Sequence, residues 1–241
     1  MTNPIAESEM ILNDRGAIYH LDLLPEEIAP LVITVGDPAR VKEVSKHFDR
    51  IEYQTAHREF LTHTGLLGNK RISVTSTGIG PDNIDIVLNE LDALVNLDFQ
   101  TRQVRASPQT LTIVRMGTCG GLQPDIPTDG LIISSHGLGL DNLLHYYSFT
   151  QEKKERNLLK AFSAHVGLNP EVFSPYLAAG DAQLLQAFVS HGFFHGITAT
   201  CPGFYGPQGR KLRAPIAFTD LPEKMSTFRF DDLRITNFEM E

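Results

Sequence analysis

The chain has 241 residues, 41% of them hydrophobic, enough to bury a full α/β core. Its formal net charge of −8 excludes an extended basic nucleic-acid footprint, although one pocket for a small anion needs only a few arginines. Two cysteines are too few for a disulfide framework, no apolar run is long enough to span a bilayer, and the opening MTNPIAESEM lacks the basic and apolar parts of a signal peptide, so a cytoplasmic protein without nucleic-acid or membrane partners is expected.

In chain order, Leu21 to Leu24 reads as cover for a sheet edge. Leu31 to Val35 predicts a short strand, and Gly36-Asp37-Pro38 turns it into a helix with Asp37 as N-cap and proline in the first turn. Ile51 to Ala56 and Arg71 to Thr77 read as strands, with Leu67-Gly68-Asn69-Lys70 turning into the second. From Asp82 to Leu97, the residues Ile84, Val87, Leu88, Leu91, Leu94 and Val95 follow helical spacing, while Asp85, Asn89, Glu90 and Asp92 lie mainly outside that stripe. Leu111 to Val114 predicts a buried strand ending at Arg115, and Leu131 to Ser135 another.

A helix over Glu152 to Val166 turns Leu158, Leu159, Phe162 and Val166 inward, with Gly167 as its cap and the charged run Glu152 to Arg156 as a solvated face. Asp181 opens a helix ending near Gly192, and Ile197 to Thr200 is a strand. After the loop Pro202 to Gly209 come a strand near Ile216 to Thr219, a helix near Pro222 to Asp232 and an extended ending, Ile235 to Glu241. This alternation predicts a single three-layer α/β domain over residues 1–241, with a central mixed sheet flanked by helices.

Chemistry concentrates at strand ends. Arg115-Met116-Gly117-Thr118-Cys119-Gly120-Gly121 joins a guanidinium and a hydroxyl to glycines that let backbone amides approach a small anion. Gly36 to Arg40 offers a second such place, where a helix begins with free amides and a positive dipole end. Thr77 to Asn83 carries the first two glycines of a dinucleotide fingerprint but Asn83 in the third place, so a turn approaching a small ligand is the better reading than a nicotinamide site.

Phe204-Tyr205-Gly206-Pro207-Gln208-Gly209-Arg210 combines an aromatic face, an amide and a cation, as a planar heterocycle requires; alternatively it is a surface turn. Glu239 and Glu241 share one face of an extended segment around Met240 and can accept hydrogen bonds from vicinal hydroxyls, or are simply the charged end of the chain. His191 and His195 read as core-edge packing rather than metal ligands, and Cys119 as a small buried filler.

Together, VGDPARV, HREF, TGIGPDNIDIVLNEL, RMGTCGGL, FYGPQGR and NFEME resemble the nucleoside phosphorylase family from about His20 to Glu241. The resemblance implies phosphate binding by Gly36, Arg40, Arg115 and Thr118, with Arg58 reaching the phosphate of a neighbouring subunit's site. It implies that His20 likewise crosses to the ribose, which Glu239, Met240 and Glu241 hold, and that Phe204, Gln208 and Arg210 take the base as in uridine phosphorylases. At least a dimer follows, a dimer or hexamer with shared sites. Gly206-Pro207 departs from the proline-then-glycine order of the pattern. Family members also continue past EME into a serine-containing turn and a long helix; the expectation is therefore a truncated record or a shortened relative.

The implied reaction is phosphorolysis of uridine to uracil and ribose 1-phosphate, with inorganic phosphate as co-substrate and neither metal nor other cofactor. Arg210, Gln208 and Arg115 are the expected catalytic residues. A purine nucleoside phosphorylase, a hydrolytic nucleosidase and a silent nucleoside-binding relative are the alternatives.

Overall fold

The computed structural model describes residues 4–241, so Met1, Thr2 and Asn3 of the expected domain lie outside the described residues. Residue contacts group the chain into two compact units, one running to Gly117 and one from Thr118 to Glu241.

In the first unit, alternation along one strand sets the layers. Strand β1 (Leu31–Val35) leads through an Asp37-capped turn into helix α1 (Pro38–Ser45). Strands β2 (Arg50–His57), β3 (Phe60–Leu67) and β4 (Lys70–Ser76) follow, then helix α2 (Pro81–Asn96), a small ribbon of β5 (Leu97–Asp98) and β6 (Gln103–Val104), and β7 (Thr112–Arg115). The sheet order is β2-β3-β4-β1-β7, antiparallel through β4 and parallel across β4, β1 and β7. Ile33 and Val35 pack with Val41 and Val44 of α1, whereas Val32 packs with Val87, Leu91 and Leu94 of α2. Successive β residues face opposite ways, so the two helices cover opposite faces. Leu21 and Leu23, expected at an edge, are fully buried in the α2 layer.

The second unit contains β8 (Gly120–Gly121), β9 (Ile132–Gly139), helix α3 (Lys153–Val166), β10 (Tyr176–Ala179), helix α4 (Ala182–Ser190), β11 (Phe194–Thr200), helix α5 (Leu221–Thr227), β12 (Arg229–Phe230) and β13 (Leu233–Glu239). Its sheet runs β10-β9-β11-β13-β12, with β8 also on β13. Leu158, Phe162 and Val166 of α3 meet Leu221 and Met225 of α5 over Leu138, Leu177, Ile197, Ala199 and Ile235 of the strands. The α3 boundaries match the spacing: Glu155 accepts the Glu152 amide at 2.7 Å, and Gly167 closes the helix at φ +78°.

The α/β class with mixed sheets flanked by helices matches the expectation, but the strands divide between two principal sheets rather than one. The ladder of β7 stops at Arg115, and the glycine-rich residues that follow pair with β13 instead. Strand β3 is an addition that apolar alternation did not announce. The strand expected at residues 216–219 is absent: Pro215 has no amide to donate, and Ile216 and Phe218 instead line an apolar cavity with Leu140 and Phe162. The helix expected to reach Asp232 ends at Thr227, and Leu88 of the α2 stripe is 45% exposed. Among the described residues no helix is long and apolar enough to cross a membrane.

Candidate active site

Parallel pairing of β4, β1 and β7 puts three strand ends on one edge of the first unit. Val35 is level with Ser76, and Thr34 with Arg115. Beyond the strands, the Thr77 amide donates to the Val35 carbonyl at 2.8 Å, that of Gly78 to Gly36 at 2.9 Å, and that of Met116 to Thr34 at 2.8 Å. Ligands in sheets of this kind bind beyond the carboxyl ends of parallel strands. Helix α1 starts here, although its amides are less free than the sequence suggested. Asp37 Oδ1 accepts the Ala39 amide at 2.8 Å, and the Arg40 amide donates to the Asp37 carbonyl at 3.0 Å.

Arg40 and Arg115 converge on the segment that follows β7. Arg40 Nη1 donates to the Met116 carbonyl at 3.4 Å. The Arg115 guanidinium folds back over Gly117, where a Cβ would collide with Nη1. The arginine–x–glycine spacing is therefore steric: only a residue without a side chain leaves room for that fork. Gly36 is buried at the same edge, and Thr118 is exposed as the first residue of the second unit.

His20 and Arg58 form a second cluster in the first unit. Arg58 sits at the tip of the β2–β3 hairpin with φ +54°, its guanidinium 5.6 Å from the centre of the Tyr19 ring and Nη2 3.4 Å from the Tyr19 hydroxyl. Tyr19 also meets the rings of His20 and His57 edge-on, at 5.0 and 5.9 Å. His20 Nδ1 lies 2.6 Å from Glu90 Oε1, and the Glu90 carboxylate accepts the amides of His20 and Leu21 as well. Tyr19, His57 and Glu90 were not singled out from sequence; they lie up to 70 residues from the groups they hold.

In the second unit the expected base loop closes on the end of β13. Arg210 lies 4.0 Å from the centre of the Phe204 ring and 5.1 Å from that of Phe238, and its Nη1 donates both to the Phe204 carbonyl, at 2.9 Å, and to Gln208 Oε1. Gln208 is 3% exposed, and its Nε2 donates to the Glu239 carbonyl at 3.4 Å. Glu239 is buried: Oε1 accepts from Thr200 Oγ1 at 2.6 Å, and Oε2 from the Glu241 amide at 2.7 Å. Met240 and Glu241 are half-buried beside it. Gly120 opposes Phe238, whose ring would lie 2.7 Å from a Cβ there. Phe204, Gln208, Arg210 and residues 239–241 are thus one cluster.

Cys201 is buried below this cluster, where desolvation and the nearby Glu239 charge push its thiol up to about 12. Cys119, expected as a buried filler, is exposed, because the glycine-rich segment carrying it runs along the surface. His191 and His195 are also exposed rather than packed at a core edge. His191 Nδ1 lies 2.8 Å from the Ala187 carbonyl, and it is Phe188 and Phe193 that pack together, at 5.0 Å. Among the described residues no group of three or more His, Cys, Asp or Glu could hold a metal ion.

A family model described as the phosphorylase superfamily matches residues 30–241. The chain is 30% identical to a uridine phosphorylase of Thermococcus kodakarensis, over all of this chain and 75% of that one. It is 33% identical to the uridine phosphorylase of Haemophilus influenzae over 55% of this chain, a match spanning 48% of that protein's length. Among solved structures, a Trypanosoma brucei nucleoside phosphorylase described as showing uridine phosphorylase activity superposes with a TM-score of 0.89 and 28% identity, covering 96% of this chain and 83% of that one.

Proposed function

Because the chain belongs to the phosphorylase superfamily, we propose that it cleaves a pyrimidine nucleoside, uridine foremost, by phosphorolysis to the free base and ribose 1-phosphate. The observation that carries the choice of base is the closure of Phe204, Gln208 and Arg210 on residues 239–241 of the second unit. A buried amide beside a guanidinium and an aromatic face suits a ring whose edge alternates carbonyl and imide groups. Uridine phosphorylases among the relatives support the same choice.

The glycosidic C–N bond breaks with its electron pair leaving on the base, while a phosphate oxygen bonds to the anomeric carbon. Arg40 and Arg115 hold the phosphate with Gly36 at the strand ends of the first unit, and its dianion offsets the positive charge that develops on the sugar. Glu239, whose carboxylate accepts from Thr200 Oγ1 and the Glu241 amide, presents an acceptor-only group of the kind that suits the hydroxyls of a ribose. Arg210 and Gln208 favour the departing uracil anion over the bound nucleoside, the differential binding that accelerates the step.

His20 and Arg58 serve the site of a neighbouring copy in this scheme. The strand order puts β3 two positions from β1 and three from β7, roughly 10 and 14 Å at the usual strand spacing, and Arg58 is held on Tyr19. The assembly is then a homo-oligomer with shared sites, active in cytoplasmic salvage of pyrimidine nucleosides.

Uracil release from uridine, measured with and without phosphate and beside inosine, tests the reading. Strictly phosphate-dependent release with uridine preferred is expected. Cleavage without phosphate would make the protein a nucleosidase, preference for inosine a purine enzyme, and binding without turnover a silent relative.

A further inference from the structure

We infer that Glu90 is the positioning residue for His20: it fixes the imidazole tautomer so that Nε2 is presented as a hydrogen-bond acceptor for a ribose hydroxyl. The inference rests on the proposed phosphorolytic reading and assigns a role to a residue of the α2 polar face.

The geometry begins with the 2.6 Å contact between His20 Nδ1 and Glu90 Oε1. An ionised carboxylate can only accept, so a neutral His20 must carry its proton on Nδ1, leaving the lone pair on Nε2. The same carboxylate accepts the His20 amide, at 3.1 Å to each oxygen, and the Leu21 amide at 2.8 Å. Three donors on one carboxylate hold both the backbone and the ring of His20. Glu90 is only 12% exposed, which strengthens these bonds, while the His20 side chain remains 27% exposed and available. The Tyr19 and Phe60 rings stand edge-on to the imidazole at 5.0 and 6.4 Å and limit its rotation further. His57 Nδ1 reaches the His20 carbonyl at 3.1 Å, so the chain at this point is held from both sides.

A ligand hydroxyl offered to Nε2 then meets an acceptor already aimed. With the other tautomer it would meet a donor, and the hydroxyl could only accept there, leaving its own proton without this acceptor. The contact is therefore directional, which a merely structural Glu90 would not require.

The test compares wild type with Glu90→Gln, which keeps the side-chain shape and one acceptor oxygen for the amides. Each enzyme is assayed on uridine and on its 2′-, 3′- and 5′-deoxy analogues. Glu90→Gln is expected to lower kcat/KM for uridine roughly ten- to a hundredfold, as loss of a partner that orients a histidine does, with the phosphate KM unchanged. For one deoxy analogue, the one lacking the hydroxyl that His20 receives, that penalty should vanish. Equal losses on all four substrates would make Glu90 structural and overturn the inference, as would no loss on uridine. Nitrogen NMR of the ¹⁵N-histidine-labelled protein is the second readout: His20 should be the Nδ1–H tautomer in wild type and a mixture in Glu90→Gln. An Nε2–H tautomer in wild type overturns the inference. Wild type that cleaves no pyrimidine nucleoside instead refutes the functional reading, including the ribose contact deduced from it, while the tautomer measurement still judges the Glu90 contact.

Discussion

Arg58 occupies a left-handed backbone position, φ +54°, at a hairpin tip where glycine would be unstrained. Holding a Cβ there costs roughly 1–2 kcal/mol. Arg58→Gly removes that strain but gives the unfolded chain more freedom, about 0.4–1 kcal/mol, and loses the guanidinium's contact with Tyr19, about 0.5–1 kcal/mol at an exposed ring. The terms cancel to within about 1 kcal/mol, a shift of no more than about 4 °C in Tm for a chain of this size. Arg58→Ala loses the same contact without relieving the strain, so it should be less stable than Arg58→Gly by about 0.5–1 kcal/mol. On the proposed role of Arg58, both variants would lose a charge-assisted contact to a neighbour's phosphate, worth roughly 1.5–3 kcal/mol, and should raise the phosphate KM about ten- to a hundredfold. Thermal unfolding and phosphate-dependent uracil release measure the two effects. An alanine variant more stable than the glycine variant would refute the strain argument, and an unchanged phosphate KM in both would refute the role of Arg58.

Arg210→Ala should lower kcat by roughly a hundred- to a thousandfold while leaving the phosphate KM within about twofold; equal losses in both would contradict its action on the leaving base. Gly117→Ala should place a methyl where the Arg115 guanidinium lies, displacing the flexible end of that side chain while the fold survives. Weakened phosphate binding with an unchanged circular dichroism spectrum is the expected result, and unchanged phosphate binding would show that the fork has another resting place. If His20 and Arg58 serve a neighbour, mixing and refolding Arg58→Ala and Arg210→Ala chains together should give, at a phosphate concentration too low for Arg58→Ala alone, more activity than either variant by itself, because one site in a mixed pair keeps both arginines; no gain would refute shared sites. Cys201, pushed up to about 12 by burial, stays protonated in the folded state while an unfolded thiol ionises near pH 9. The folded state then holds more protons between those values, so stability should fall as pH rises through that window, by about 1.4 kcal/mol per unit from this thiol. Cys201→Ala should flatten that part of the urea-midpoint profile; an unchanged profile would show that other groups, such as the raised Tyr176 hydroxyl, account for it.

Periodicity made some elements plain and hid others for identifiable reasons. Helix α2 was legible because Val87, Leu91 and Leu94 keep one stripe over about two turns, and the β1–α1 turn because Asp37 and Pro38 each act locally. Strand β3 was not, since its interior positions are polar. Thr62 bonds Thr75 at 2.7 Å, Thr64 bonds Ser73 at 2.6 Å and His63 meets Ser45 at 2.8 Å, so hydroxyl pairs replace the apolar alternation that reveals a strand. Residues 216–219 misled in the opposite sense: Ile216 and Phe218 are apolar to line a cavity, not to join a sheet.

The candidate site divides along the same line. Arg115 and Gly117 could be read together because only Met116 lies between them, and Phe204, Gln208 and Arg210 because one short loop carries all three. Glu90 could not. On the helical pattern it belongs to the polar face with Asp85, Asn89 and Asp92, and a hydrophobic stripe assigns every residue outside it to solvent. The structure shows that this face is not uniform. Asn89 bonds back to Asp85 along the helix and is exposed, whereas Glu90, one position on, turns toward a chain segment 70 residues earlier and accepts its amides. A carboxylate solvated by water and one solvated by protein amides look the same in sequence, because both satisfy the same requirement for donors. What separates them is whether another part of the fold supplies those donors, and that is decided by packing.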